Sequence, residues 1–298
     1  MISAMNLDQP FMDKSDSELA VVFAKLEAGR FDWIMLAVGA WGSDHDLHRS
    51  RSNPVMTRFV NKAHDAGFKV IAGVYGGEFW QIPNITLNEH RQFMADQARA
   101  LMQDVSFDGF SDDLENYVGS GGSSADDWWL PASLADYVDL ENKINSAVQS
   151  IGKMSCPSLG GLFFITLENK SPTFETVYPY LTSNYNLMMF FGAITSGYAS
   201  EVWSLALSKS AAPCIMGLWI HEEGQPSLVD QLAWVDAQPT KPAGTFIWHI
   251  NFMTPEDWQI WYNWISKPEV THEQQSPAAA LLVFSLLVSI VLFILYGS

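Results

Sequence analysis

Basic residues are scarce in this chain. It has 16 lysines and arginines against 33 aspartates and glutamates in 298 residues, which gives a formal net charge of -17. Nucleic-acid binding needs a positively charged surface, and no cluster of Lys and Arg supplies one. We therefore expect no nucleic-acid partner and no other polyanionic partner.

Cysteine is equally scarce, because Cys156 and Cys214 are the only two. No CxxC spacing accompanies them, and they are compatible with buried thiols or with one disulfide. His221 and His249, in "HEE" and "HIN", have too few potential ligands around them at a recognised metal spacing. The sequence therefore predicts no metal site and no cofactor.

The two ends of the chain differ in hydrophobicity. Residues 1–9 show neither a basic segment nor an apolar run, so we expect that a signal peptide is absent or already removed. Residues 278–296, "AAALLVFSLLVSIVLFILY", are 19 residues without a charge, enough at about 1.5 Å per residue to cross a bilayer. We predict a single-pass C-terminal membrane anchor, either a transmembrane helix or a removable lipid-anchor signal, after a polar linker at 266–277.

Between residues 1 and 265, apolar strand-like runs alternate with helical patterns. The count is eight strands and eight helices, which predicts a closed (β/α)8 TIM barrel forming one domain, 1–265. In the first predicted helix Ser15 stands at the N-cap with Glu18 three residues on, and Gly29 follows the helix. The fourth predicted strand is "FDGFSDDLEN" (107–116) and the fifth is "GGLFFITLEN" (160–169).

The fourth strand carries the densest group of carboxylates. Alternate side chains of a strand point to opposite faces, so Asp113 and Glu115 share one face while Asp112 shares the other with apolar neighbours. The first face is expected to point into the barrel, with Glu115 at the mouth. A second carboxylate two residues earlier would raise the pKa of Glu115, as a general acid requires. Asp108, before Gly109, is interpreted as fixing the loop that enters the strand.

These residues resemble glycoside hydrolase family 18, the chitinases and their relatives, whose fourth strand carries a D-G-x-D-x-D-x-E pattern. Asp108, Gly109, Asp113 and Glu115 match it. Ser111 stands where the family has its first inner aspartate, and Asp112 stands at a place that is usually apolar.

The resemblance extends to other strands. The third ends in the family's Gly-Gly pair, Gly76 and Gly77, and Trp248 on the eighth corresponds to the Trp under the sugar site. Met188 on the sixth matches, but Phe190 and Phe191 replace the polar residues that follow it, so Tyr75 or Tyr185 would have to supply the missing hydroxyl. We expect further substrate contacts at two residues of the seventh strand and its end, Trp219 and Glu222.

The resemblance implies a glycosidase acting on a polysaccharide or glycan that contains N-acetylglucosamine. Glu115 would protonate the glycosidic oxygen, and the substrate's N-acetyl group would act as the nucleophile while Asp113 steadies it. Two alternatives stay open. Glu115 could work with Glu222 or Glu223 in a retaining or inverting mechanism, or the barrel could bind sugar without cleaving it. A carbohydrate partner and an extracytoplasmic barrel on a membrane anchor complete the prediction.

Overall fold

The computed structural model describes residues 1–76, 84–114, 134–159, 180–188, 207, 210–220, 226–248 and 250–267. The chain divides after Ile265 into a first unit, Met1–Ile265, and a second, Ser266–Ser298. The second unit is described only at residues 266 and 267. All elements below belong to the first unit.

Ten strands are described in the first unit. In chain order they are β1 (Ile2–Leu7), β2 (Trp33–Trp41), β3 (Leu47–Arg49), β4 (Lys69–Tyr75), β5 (Gly109–Asp113), β6 (Met154–Ser155), β7 (Ser158–Leu159), β8 (Asn186–Met188), β9 (Cys214–Trp219) and β10 (Gly244–Trp248). Their order in the sheet is β1-β10-β9-β8-β7-β5-β4-β2-β3, with β6 also on β5 and β1 also on β2. The pairing of β1 with both β2 and β10 closes the sheet on itself.

The closed sheet is parallel throughout the ring. Strands β6 and β7 together occupy the fifth of eight positions, between β5 and β8. Strand β3 lies outside the ring and forms an antiparallel hairpin with β2. This curled parallel sheet agrees with the predicted TIM-like barrel.

Six α-helices are described, each after a strand or hairpin. They are α1 (Asp16–Ala28), α2 (Asn53–Asp65), α3 (Asn88–Asp104), α4 (Leu134–Gln149), α5 (Leu228–Ala237) and α6 (Pro255–Ile265). Short 3-10 turns follow β1 at Gln9–Asp13 and β10 at Ile250–Phe252. The two further helices predicted between β7 and β9 fall almost entirely on residues outside the described ones.

Local sequence signals explain where the first helices begin and end. Ser15 Oγ accepts the Glu18 backbone N–H while Glu18 Oε2 accepts that of Ser15, so the predicted capping box forms. Gly67, after α2, has φ +89°, a left-handed conformation that favours glycine. The capping box thus starts α1, and Gly67 ends α2 where the chain must turn towards β4.

Strand parity sorts the apolar side chains into two cores. One lies between the sheet and the helices and takes residues such as Val70, Ala72 and Val74 of β4. The other fills the barrel and takes a residue or two from nearly every ring position: Ala4, Trp33, Met35, Ile71, Cys156, Leu187, Ile215 and Phe246. The interior is therefore packed through its lower layers, and only the ends of the strands can form a site.

The described part of the fifth strand begins before its predicted run. The described strand residues at that ring position are β6 and β7, within "MSCPSL", whereas the predicted run at 160–169 lies outside the described residues. Pro157 interrupts this segment and lacks the backbone N–H that a continuous ladder needs, so two short strands replace one. Cys156 and Cys214 are both buried free thiols, which resolves the alternatives that the sequence left open.

The predicted C-terminal transmembrane helix is wrong as part of the fold. No helix in the described ranges is long and apolar enough to cross a membrane. Residues 278–296, on which the prediction rested, lie outside the described residues, and an apolar run is not by itself a helix. The single-pass membrane localisation is corrected on the same finding.

Candidate functional site

The candidate site lies at the carboxyl ends of the barrel strands. Tyr75 ends β4, Asp113 ends β5, Trp219 ends β9 and Trp248 ends β10, and all four side chains are partly exposed. On β4, β9 and β10, an even number of positions separates this last residue from an interior-core residue of the same strand, so both point to the same face. Asp113 is the register partner of Tyr75 and points to that face as well. These four residues therefore face the mouth of the barrel, as the sequence predicted for Asp113.

The aromatic rings at the mouth touch one another. Tyr75 and Trp248 meet edge to face, with ring centroids 5.8 Å apart and an interplanar angle of 89°. Trp219 contacts Trp248 from the other side at 6.5 Å and 63°. Phe246, one layer down, also packs against Trp248 at 6.2 Å. The result is a continuous aromatic surface of the kind that stacks on the apolar face of a flat ligand.

Asp113 lies beside this aromatic surface. It is the register partner of Tyr75 on one side and of Ser158 on the other. Its carbonyl oxygen accepts the Gly76 backbone N–H at 2.7 Å, and a Cβ on residue 76 would stand 2.8 Å from that oxygen. Gly76 must therefore be glycine for the ends of β4 and β5 to approach this closely.

Two serines lie on the same inner face. Ser111 is buried one layer below Asp113, at the place where the family resemblance implies an aspartate. Ser158 is buried beside Asp113 on the neighbouring strand. Sequence reasoning did not identify Ser158, because its strand has only two residues and follows a proline. Among the described residues, a hydroxyl group thus lies beneath Asp113 and another beside it, in place of a second carboxylate.

The end of β9 is fixed by Gln231 of α5. Gln231 Oε1 accepts the Trp219 backbone N–H at 2.9 Å, and its Nε2 donates to the carbonyl oxygens of Trp219 and of Pro226, the latter at 2.9 Å. Gln231 is buried on the same helix face as Leu228, Leu232 and Val235. Such a polar residue in an apolar helical stripe is the signal that could have identified it from the sequence.

The other face of β5 carries a second acidic group. Asp112 is buried against α4, where Tyr137, Glu141 and Asn145 are also buried. Burial raises the pKa of Asp112 to about 6, although hydrogen bonds from Glu141 and from its own backbone N–H lower it. Burial and the neighbouring Asp112 raise the pKa of Glu141 well above its ordinary value. The sequence placed Asp112 towards the helices but did not identify its partner.

Asp108 has the structural position that the sequence indicated. Its Oδ2 accepts the Val70 backbone N–H at 2.8 Å and lies 2.7 Å from His64 Nε2. These contacts tie the entrance of β5 to β4 and α2, at the opposite end of the strand from Asp113. Asp108 therefore supports the strand and takes no part in the mouth.

Several predicted site residues lie outside the described residues: Glu115, Gly77, Glu222, Glu223, His221, His249, Phe190 and Phe191. For Met188 the backbone is described, and it pairs with Met216 of β9. Asn251, after β10, donates from Nδ2 to Asp8 Oδ2 at 3.2 Å. In the described ranges, no group of three or more His, Cys, Asp and Glu residues is arranged to hold a metal ion.

Solved structures with a similar fold include several sugar-cleaving enzymes. A chitinase from Rhizomucor miehei superposes with a TM-score of 0.63 at 12% identity, over 89% of this chain and 100% of that one. A glycoside hydrolase family 18 N-acetylglucosaminidase from Paenibacillus barengoltzii gives 0.59 at 13%, over 88% and 99%. A spore cortex-lytic enzyme from Bacillus megaterium gives 0.57 at 10%, over 87% and 73%.

Sequence comparison adds no closer relative. No family model matches the chain, and no curated protein matches it. The resemblance to family 18 chitinases read from β5 is thus confirmed in the fold, at identities of 10 to 13%. Similarity at that level establishes the barrel and leaves the chemistry to be argued from the residues.

Proposed function

We propose that the chain is a glycoside hydrolase that cleaves a polysaccharide or glycan containing N-acetylglucosamine. The observation that carries the proposal is the position of Asp113 beside Tyr75 at the strand ends, next to the aromatic surface of Trp248 and Trp219. A carboxylate next to partly exposed aromatic rings suits a sugar ring that stacks on one of them while a polar bond is broken. Chitinases and an N-acetylglucosaminidase among the fold neighbours support the same substrate class.

The proposed mechanism assigns separate roles to two carboxyls. Glu115, two residues after Asp113 and of the same strand parity, protonates the glycosidic oxygen as the general acid. The N-acetyl oxygen of the substrate attacks the anomeric carbon, the bond to the leaving sugar breaks, and Asp113 steadies the acetamide. Water then opens the cyclic intermediate and returns the proton to Glu115. Tyr75, beside Asp113, supplies the hydroxyl that the phenylalanines at 190 and 191 cannot.

The remaining predicted contacts complete the substrate site in this proposal. Trp248 forms the floor of the sugar site and Trp219 one wall, while Gly77 and Met188 border it. Glu222 contacts the substrate, or takes the place of the acetamide as the nucleophile in a retaining reaction. A strong loss on Glu222→Gln combined with tolerance of Asp113→Asn would favour that second route.

The proposal is tested by hydrolysis of N-acetylglucosamine oligomers and a panel of aryl glycosides with the full chain. Glu115→Gln removes the transferable proton with little change in shape, so we expect a loss in kcat of about 100-fold to 10,000-fold. Glu27→Gln is the matched control, because Glu27 is an exposed carboxylate at the end of α1 remote from the mouth. Equal activity of Glu115→Gln and wild type would contradict the assignment.

A non-catalytic sugar-binding protein is the second candidate, favoured by one observation. Ser111 is buried where the family resemblance implies an aspartate, while the aromatic surface above it is intact. Such a barrel would bind the oligomers without cleaving them. Calorimetric binding measured on the same panel separates the two functions, because saturable binding with no turnover of any member supports the sugar-binding protein and contradicts the hydrolase.

A further inference from the structure

A polar stripe runs along the buried side of α4. Tyr137, Glu141 and Asn145 stand four residues apart, so they share one helix face, and each is at most 1% exposed. Asp112 on β5 faces this stripe and is 2% exposed. Acidic side chains are rarely buried to this extent without a partner, and here the partner of one acid is another acid.

The contact between the two carboxyls requires a proton. An ionised carboxylate only accepts hydrogen bonds, and a protonated one also donates. If both are ionised, Asp112 Oδ2 has no donor within the described part of the chain, and only the Tyr137 hydroxyl there acts as a donor to Glu141. A proton on Glu141 makes it the donor to Asp112, which removes this conflict.

The basic side chains of the neighbouring helices pair with other carboxylates and not with Asp112 or Glu141. On β4 the register partner of Asp112 is the apolar Val74. Arg91 of α3 is engaged by Asp136 and Asp139 of α4 at 2.7 and 2.6 Å, and Lys143 is engaged by Asp139 at 3.1 Å. Tyr137 is the further titratable side chain that acts on Glu141 among the described residues. No basic side chain is therefore placed to neutralise the pair in that part of the chain.

We propose that Asp112 and Glu141 share one proton at neutral pH across the contact of β5 with α4, and that this pair positions the end of β5. Asp112 and Asp113 are joined by one peptide unit. A movement of the Asp112 carboxyl therefore shifts the backbone that sets the direction of the Asp113 side chain. The positioning role rests on the proposed function of Asp113, whereas the shared proton does not.

The shared proton makes folding depend on pH in a defined direction. Burial raises the pKa of both groups above the ordinary values of 3.8 and 4.5, to about 6 for Asp112 and further for Glu141. The folded chain therefore holds protons that the unfolded chain has released. This contribution to stability is complete below about pH 4 and is lost as pH rises through the folded pKa values, first that of Asp112 and then that of Glu141.

The test compares urea unfolding of the full-length wild type and Glu141→Gln between pH 6 and 8. Gln keeps the shape and an N–H donor for Asp112 but cannot ionise. We expect the unfolding constant of wild type, divided by that of Glu141→Gln, to rise about tenfold per pH unit until Glu141 has lost its proton. This slope corresponds to the release of one proton on unfolding. A flat ratio overturns the shared proton.

Two further variants separate this effect from general electrostatics. Asp112→Asn removes the neighbouring charge that holds the proton on Glu141, so its unfolding constant should vary less steeply with pH than that of wild type. Glu89→Gln removes an exposed carboxylate at the start of α3 and should give a flat ratio to wild type. The pair could instead hold a cation in place of the proton. We expect millimolar Ca²⁺ to leave the melting temperature of wild type unchanged at pH 8, which excludes that cation. Stabilisation by Ca²⁺ that Glu141→Gln lacks would overturn the proposal.

The positioning role has its own readout in the pH profile of hydrolysis. In wild type the loss of the shared proton should lower kcat at alkaline pH with a smaller change in KM, and in Glu141→Gln that fall should move to higher pH. An unchanged profile overturns the positioning role. If wild type hydrolyses no substrate, the proposed function fails, and the unfolding ratio still decides the shared proton.

Discussion

The two faces of β5 give neighbouring aspartates opposite environments. Asp113 points into the barrel mouth, is partly exposed and lies beside Tyr75. Asp112, one residue earlier, is buried against α4 and beside Glu141. A strand turns successive side chains to opposite faces, so one step along the chain separates a partly exposed aspartate from a buried one.

This difference shows that the acidic residues of "FDGFSDDLEN" (107–116) do not share one environment. On the inner face, Asp113 lies beside Tyr75, whose ring contacts Trp248. On the outer face, desolvation raises the pKa of Asp112 to about 6 and makes protonation part of the packing.

Breaking the outer pair should have the largest effect on stability. Glu141→Leu leaves Asp112 buried without its donor, and we expect a loss of about 3 kcal/mol in the free energy of unfolding at pH 7. Adding Asp112→Val removes the remaining acid and should restore most of that stability, because apolar residues of similar volume replace buried polar pairs well. Urea unfolding of the two variants measures both effects. A double variant as unstable as Glu141→Leu would contradict the pairing.

Separating the ends of β4 and β5 should have the next effect. In Gly76→Ala the added methyl group would meet the Asp113 carbonyl oxygen at 2.8 Å, so the backbone must shift, at about 2 kcal/mol. Because that shift moves Asp113, hydrolysis should fall together with stability. Gly152→Asn is the control, since Gly152 has φ +74° with open space around it and Asn tolerates that conformation. Equal losses in the two variants would refute the close approach as the cause.

Removing the aromatic floor should weaken substrate binding. Trp248→Ala removes the ring that joins Tyr75 and Trp219, and we expect the Kd for an oligosaccharide to rise about tenfold, or about 1.4 kcal/mol. Isothermal calorimetry measures it. Phe93→Ala, an exposed aromatic on α3, should leave the Kd unchanged. An unaltered Kd in Trp248→Ala would exclude this surface as the sugar site.

Loosening the end of β9 should have the smallest effect. Gln231→Leu removes the hydrogen bonds to the Trp219 backbone, with an expected loss of about 1 kcal/mol in the free energy of unfolding. Amide exchange at Trp219 should accelerate more than exchange at Phe246 in the middle of β10. Gln259→Leu, at an exposed site of α6, is the matched control. Uniform acceleration across both strands would show a global rather than a local effect.

Periodicity was sufficient to predict the parts of the fold that depend on local sequence. The alternation in β5 correctly placed Asp113 inwards and Asp112 outwards, and the Ser15 and Glu18 spacing correctly predicted the capping box of α1. Both follow from side-chain directions within a few residues of the chain. The closed parallel ring followed in turn from the alternation of strands and helices.

Long-range partners were not predictable in the same way. Glu141 lies 29 positions after Asp112, and Gln231 lies 12 after Trp219, so no local pattern joins either pair. The start of the fifth strand was predicted too late because "MSCPSL" contains a proline and few apolar residues, while the run after it is strongly apolar. The membrane helix was wrongly predicted on hydrophobicity alone, which does not report whether a segment forms a helix.

The most direct test of the division between the two faces is a paired measurement on Asp113→Asn and Asp112→Asn. Hydrolysis of one N-acetylglucosamine oligomer at pH 6 and urea unfolding between pH 6 and 8 are measured for both variants and for wild type. We predict that Asp113→Asn loses at least about 100-fold in kcat with little change in stability. Asp112→Asn should lose less than about tenfold in kcat and show a flatter pH dependence of unfolding. Equal losses of kcat in the two variants, or the reverse pattern, would contradict it.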